Sequence, residues 1–79
     1  MTRARLTQML NYYALGAPGW LIAFQYDADL VEALKRAVPH TDRSWYEDNR
    51  EWFVKETYEP VLRRLFSNVD EFKSQLRML

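Results

Sequence analysis

Arg43-Ser44-Trp45-Tyr46-Glu47-Asp48-Asn49-Arg50-Glu51-Trp52-Phe53-Val54 is the stretch that decides the fold. Its flanks carry Trp, Tyr, Phe and Val, residues that suit a pleated, half-buried surface. Its centre, Glu47-Asp48-Asn49-Arg50, holds residues that bend the backbone and tolerate positive φ. The stretch therefore reads as a β-hairpin. With Asp48-Asn49 at the tip, Trp45 stands opposite Trp52, and Arg43 faces Val54 on the same side. Tyr46, Glu51, Ser44 and Phe53 then point to the other face, because side chains alternate along a strand.

Outward from the hairpin, residues 20–26 form a strand with Trp20, Ile22 and Phe24 on one face and Leu21, Ala23 and Gln25 on the other. Asp27-Ala28-Asp29 opens a helix; either Asp can cap it, and both suit the positive end of the helix dipole. Leu30, Val31, Leu34, Ala37 and Val38 make its apolar stripe. Lys35 and Arg36 occupy its last turn, and Pro39 ends it. A second helix starts near Thr57 and accepts Pro60 in its first turn, where the missing N–H costs little. Its buried face is Tyr58, Val61, Leu62 and Leu65. Ser67-Asn68 breaks or bends the chain. A last short helix follows from Asp70-Glu71, with Phe72, Leu76 and Leu79 on one side. Residues 1–15 stay open between two readings. Leu6, Met9, Leu10 and Tyr13 follow helical spacing with Thr2 as a candidate cap, yet the same stretch can pair as a strand. Gly16-Ala17-Pro18-Gly19 is a turn or loop in either case.

The order (helix or strand)–β–α–β–β–α–α is satisfied by a small α+β domain, an antiparallel sheet covered on one face by helices. Trp20, Phe24, Trp45 and Trp52 are expected to form the scaffold beneath those helices. Tyr46 and Phe53 fall on the opposite face, exposed there unless residues 1–15 cover them.

The chain has 79 residues, enough for one small domain over 1–79 with no linker or repeat. It has no cysteine, so disulfides and thiolate metal sites are excluded, and one histidine, His40, does not make a metal site alone. Aromatic residues, 15% of the chain, supply the core instead. Eleven basic and eleven acidic residues cancel, which argues against a broadly basic binder and leaves local patches to be weighed. No apolar run approaches the ~20 residues of a membrane span, and the N-terminus lacks the pattern of a signal peptide. These features predict a cytoplasmic protein with no membrane partner, no cofactor and no evident small-molecule substrate. Met1 favours a whole protein over a fragment.

Three segments together resemble the HARP domain, the HepA-related module found beside the motor of annealing helicases and as small stand-alone pieces in bacterial and phage genomes. They are Phe24-Gln25-Tyr26-Asp27-Ala28-Asp29-Leu30-Val31-Glu32-Ala33-Leu34-Lys35, then Arg43-Ser44-Trp45, then Asn49-Arg50-Glu51-Trp52-Phe53-Val54 with Tyr58 and Leu62 behind it. The family pattern is a strand ending in Tyr, a helix with Leu-(Val/Ile)-x-x-(Leu/Phe/Ile)-Lys, a hairpin x-(Trp/Tyr)-Asp-x-x-(Lys/Arg)-x-Trp, and a helix opening near Tyr. The resemblance is strongest over residues 20–66. It implies binding of structured DNA, single-stranded or at junctions, with Lys35 and Arg50 as the matching polar residues. Tyr46 stands where the family often has Asp. No ATPase motor is implied, since the chain lacks G-x-x-x-x-G-K-[ST].

Within that frame the phosphate-contacting candidates are Arg50, Lys35, Arg36, Arg63 and Arg64, and the base-stacking candidates are Tyr46 and Phe53. Each has a plainer reading. Glu32, Glu51 and Glu59 stand near the basic residues and offer solvated ion pairs. Tyr46 and Phe53 are equally explained by cover from residues 1–15 or by a dimer contact. Trp45 and Trp52 are explained better by core packing than by stacking on bases. His40 reads as a surface residue, and Asp27 and Asp29 as caps. Nothing resembles a nucleophile with its general base, so a non-catalytic module is expected. The rival to DNA binding is a protein-interaction adaptor, docking on a host factor or on itself through the same aromatic face.

Overall fold

The computed structural model describes residues 3–77. Thr2 and Leu79, assigned above to a helix cap and to the last apolar stripe, lie outside them. Strands β1 (Leu6–Ala14) and β2 (Ala17–Phe24) come first, then helix α1 (Ala28–Ala37). A one-turn 3-10 helix, His40–Asp42, leads to β3 (Arg43–Tyr46) and β4 (Glu51–Lys55). A second 3-10 turn, Glu56–Tyr58, runs into α2 (Glu59–Leu65), and α3 (Val69–Arg77) follows. The four strands form one antiparallel sheet in the order β1-β2-β4-β3. The fold is α+β, and no described helix is long and apolar enough to cross a membrane.

The hairpin has the expected register. Trp45 pairs with Trp52, Arg43 with Val54, Ser44 with Phe53 and Tyr46 with Glu51. The positive φ in its turn falls on Arg50, at 54°, rather than on Asp48 or Asn49. Asp27 caps α1: its Oδ1 accepts from the backbone N–H of Asp29 at 2.9 Å and of Leu30 at 3.1 Å.

The N-terminal ambiguity resolves as strand. The helical spacing of Leu6 and Met9 has a different origin. The β1–β2 pairing shifts register between Leu6 and Gln8, which inserts one extra residue and turns both Leu6 and Met9 toward the core. The connection to β2 is tighter than expected. Ala14 pairs with Ala17, and the turn is Leu15-Gly16 alone, with φ of 54° and 74°, the two positive values that a two-residue primed turn needs. Ala17, Pro18 and Gly19 belong to β2. Pro18 precedes the part of β2 that pairs with β4, so its missing N–H breaks no bond of that ladder.

One face of the sheet meets the helices. Leu6, Met9, Trp20, Ile22, Trp52 and Val54 are buried against Leu34 and Val38 of α1, Val61 and Leu62 of α2, and Phe66 and Val69 beyond it. The Ser67-Asn68 bend has a definite task. Asn68 is 3% exposed. Its Oδ1 accepts from the Leu6 backbone N–H at 2.8 Å, and its Nδ2 donates to the Leu6 carbonyl at 2.9 Å. Beside it, Ala4 N–H donates to Leu65 O and Ser67 N–H to Ala4 O. The amide side chain thus stands in for a neighbouring strand and ties the chain's beginning to the α2–α3 connection.

On the other face Phe53 is 0% exposed. Its ring lies over Gly19, where a Cβ would come within 2.5 Å of its Cζ. Tyr12 closes over it edge-on, with ring centroids 6.1 Å apart, and Tyr46 lies 6.2 Å from Tyr12. Cover by β1, one of the two plainer readings, is what the packing shows.

Candidate nucleic-acid interface

Because β4 rather than β3 pairs with β2, β3 is the outer strand of the sheet. Trp45, on the helix-facing side, therefore projects at the margin of the helix layer. It is 42% exposed, against 9% for Trp52, and the two rings sit 4.9 Å apart with a 45° tilt. Its Nε1–H donates to Glu47 Oε2 at 2.6 Å, which fixes the plane of the indole. Trp45 is not the core scaffold residue that the pattern suggested; the edge position leaves it 42% exposed.

A cleft of about 590 Å³ opens there, with Val31 and Lys35 of α1 on one wall, Trp45 and Trp52 on the other, and Tyr26, His40 and Arg43 around the rim. A second arm of about 410 Å³ shares Tyr26, Val31, Trp45 and Trp52 and runs on to Glu47 and Arg50. The sequence positions this cleft through one local device. α1 stops at Ala37; the carbonyl of the next residue, Val38, accepts from Arg43 Nη1, and the same nitrogen lies 3.4 Å from Lys35 O. A cation at a helix C-terminus is favoured by the dipole, so Arg43 both ends the helix and fixes it against β3.

Of the predicted phosphate contacts, Lys35 and Arg50 line the cleft. Arg36 is exposed in the same last turn as Lys35. None of these three makes an ion pair among the described residues. Of their expected partners, Glu51 accepts from Gln8, and Glu32 makes no ion pair among the described residues. Arg63 is different. It is bound to Glu59 and Asp70, and its carbonyl accepts from Arg3, so it serves the α2–α3 junction and is not an open phosphate contact. Arg64 is exposed but does not border the cleft. Phe53 has no ring face open for stacking because Tyr12 and Gly19 enclose it, and Tyr46 is half-buried beside Tyr12. The exposed aromatic rings at the cleft are instead Trp45 and Tyr26, the latter 78% exposed.

Away from the cleft two carboxylates are held in their charged form. Hydrogen bonds from Tyr58 (2.7 Å) and then Lys55 (2.9 Å) keep Asp42 below the usual carboxylate range. Burial pushes Glu59 up, but Lys73 and Arg63 together outweigh it and leave the group lowered. The described residues contain no cluster of three His, Asp or Glu placed to hold a metal ion.

The cleft therefore combines one wall of two indoles, the exposed Tyr26 phenol, and Lys35 and Arg50, neither of which makes an ion pair among the described residues. Compared with known proteins, the chain matches no family model, no curated protein and no solved structure.

Proposed function

We propose that this domain is a non-catalytic module that binds single-stranded or junction DNA, as its HARP-like sequence features imply, and that it does so in the Trp45 cleft. One observation supports the reading above the others: a half-exposed, orientation-fixed Trp45 lies in one cleft with Lys35 and Arg50, which have no carboxylate partner among the described residues. Stacking on an aromatic ring is worth ~1–3 kcal/mol per base and tolerates any base, and each cation adds a phosphate contact that weakens with salt. Bases paired within a duplex have no free face to offer, so the cleft favours unpaired nucleotides.

Anisotropy of labelled single-stranded, duplex and forked DNA, at low and physiological salt, tests the proposal. Single strand and fork should bind more tightly than duplex. Lys35 and Arg50, with the neighbouring Arg36, at about 0.7 each give a log–log salt slope of about −2. Lys35→Glu with Arg50→Glu should remove binding, and Arg64→Glu should not. Absence of binding at low salt, or equal loss from Arg64→Glu, would overturn it.

A protein-interaction adaptor is the second reading. It is favoured by a separate exposed group, Leu10, Tyr12, Tyr13 and Leu15 on the β1–β2 hairpin.

A further inference from the structure

That exposed group belongs to an open edge. β1 is the outermost strand on its side of the sheet and is nine residues long. Its sequence, Leu6-Thr7-Gln8-Met9-Leu10-Asn11-Tyr12-Tyr13-Ala14, contains no charged residue and no proline. Edge strands normally carry such residues because their free N–H and C=O groups template another strand. Here the protection is confined to one end. Asn68 satisfies the backbone of Leu6, and Phe72 and Leu76 of α3 flank Thr7 to Leu10. The far half, toward Ala14, has no such cover among the described residues.

We propose that this half of β1 pairs with the same half of a second copy of the chain, antiparallel about a two-fold axis, joining two four-stranded sheets into one of eight. The occupant follows from self-complementarity. An antiparallel edge paired with itself exchanges N–H and C=O groups symmetrically. A strand without charge sets no like charges opposite each other, and the chain's zero net charge opposes no second copy. Leu10 and Tyr12, each 46% exposed, share one sheet face. In the pair they would extend the Tyr12–Phe53–Tyr46 cluster across the axis. The four residues Arg43–Tyr46 of β3 make a shorter edge, and Arg43 is already tied to α1. This inference stands independently of DNA binding, because the Trp45 cleft is on the other margin of the sheet.

Sedimentation equilibrium of the whole chain across the micromolar range tests it. The expected result is a monomer–dimer equilibrium that Asn11→Lys with Tyr13→Lys weakens by about tenfold or more, by setting cations near the axis. Both residues are exposed and outside the aromatic cluster, so circular dichroism should show the variant folded. Should the paired lysines unfold it, amide exchange of the unaltered chain decides: β1 amides protected in concentrated and not in dilute solution support the pairing. A chain that stays monomeric throughout overturns it and leaves the edge to a strand of another protein. A dimer that the folded variant retains undiminished overturns it as well.

Discussion

Asn68→Ala isolates the contact that holds β1 to the α2–α3 connection. The side chain makes two hydrogen bonds to one residue, to Leu6 N–H at 2.8 Å and Leu6 C=O at 2.9 Å, in a buried setting. Truncation leaves both backbone groups unpaired. Each buried unsatisfied group costs ~1–3 kcal/mol. Leu6 lies on an edge strand, so water reaches the vacated site in part, and the lower end applies: ~2–3 kcal/mol in total. For a domain of this size that is a large fraction of the ~4–12 kcal/mol available. The midpoint should fall by about 10–20 °C, at ~4–8 °C per kcal/mol. Urea denaturation followed by circular dichroism measures the loss. Asn68→Asp sharpens the test. It keeps the acceptor for Leu6 N–H but turns an oxygen toward Leu6 C=O. Burial and that carbonyl both favour the protonated carboxyl, which can donate as the amide did. The Asp variant should therefore be closer to the native stability at acid pH than at neutral pH. A loss under ~0.5 kcal/mol in the Ala variant, within the scatter of neutral surface changes, would refute the strand-mimic argument.

Other outcomes follow from single contacts. Gly19→Ala should destabilise by ~1–3 kcal/mol or more, because the added methyl meets the Phe53 ring and, closer still, the Val54 carbonyl oxygen; an unchanged denaturation midpoint would place the Phe53 ring elsewhere. Trp52→Ala should cost ~3–5 kcal/mol, whereas Trp45→Ala should cost clearly less and act on DNA affinity, so equal losses in the melt would contradict their unequal burial. Arg50→Gly relieves positive φ and should leave the melt unchanged or raise it while weakening DNA binding; a lowered melt would show that Arg50 has a structural contact. Asp42 and Glu59 both have folded-state values below their unfolded values of ~4. Their stabilisation is complete above ~4 and disappears as pH falls through the lower folded values, so the melting temperature should drop in that acid window. A flat profile from pH 7 to 3 would count against both ion-pair networks.

Much of the fold was legible because local chemistry and tertiary packing agreed. The hairpin register followed from alternation around Asp48-Asn49, and the cap at Asp27 from its place before an amphipathic run. Where they disagreed, the reading failed for identifiable reasons. The extra residue between Leu6 and Gln8 gives a strand the i, i+3 spacing of a helix, so periodicity alone favoured neither. Asn68 appeared only as a breaker, since its partner lies 62 positions away. Gly19 looked like part of a turn, although its missing side chain is what lets Phe53 lie flat on the sheet.

The site was harder to read than the fold because it depends on strand order. The sequence placed Trp45 and Trp52 on one face, and both orders of the hairpin satisfy that. If β3 had joined β2, Trp45 would lie under the helices and Trp52 would stand at the margin. With β4 inside, Trp45 takes the margin, and the short α1 brings Lys35 to it. Packing at the centre favours this choice. β4 sends Trp52 and Val54 to one face and Phe53 to the other, all buried, whereas β3 offers Arg43 and Ser44 in the corresponding positions. The strand that is apolar on both faces occupies the interior, as burial demands. The polar strand is left outside with one aromatic ring, and that ring defines the cleft. Exchanging one such pair, Phe53→Ser with Ser44→Phe, should therefore cost at least the ~3–5 kcal/mol of one lost buried Phe in urea denaturation, since a Phe at the outer strand cannot fill the space beneath Tyr12; a variant of native stability would contradict the account of the strand order.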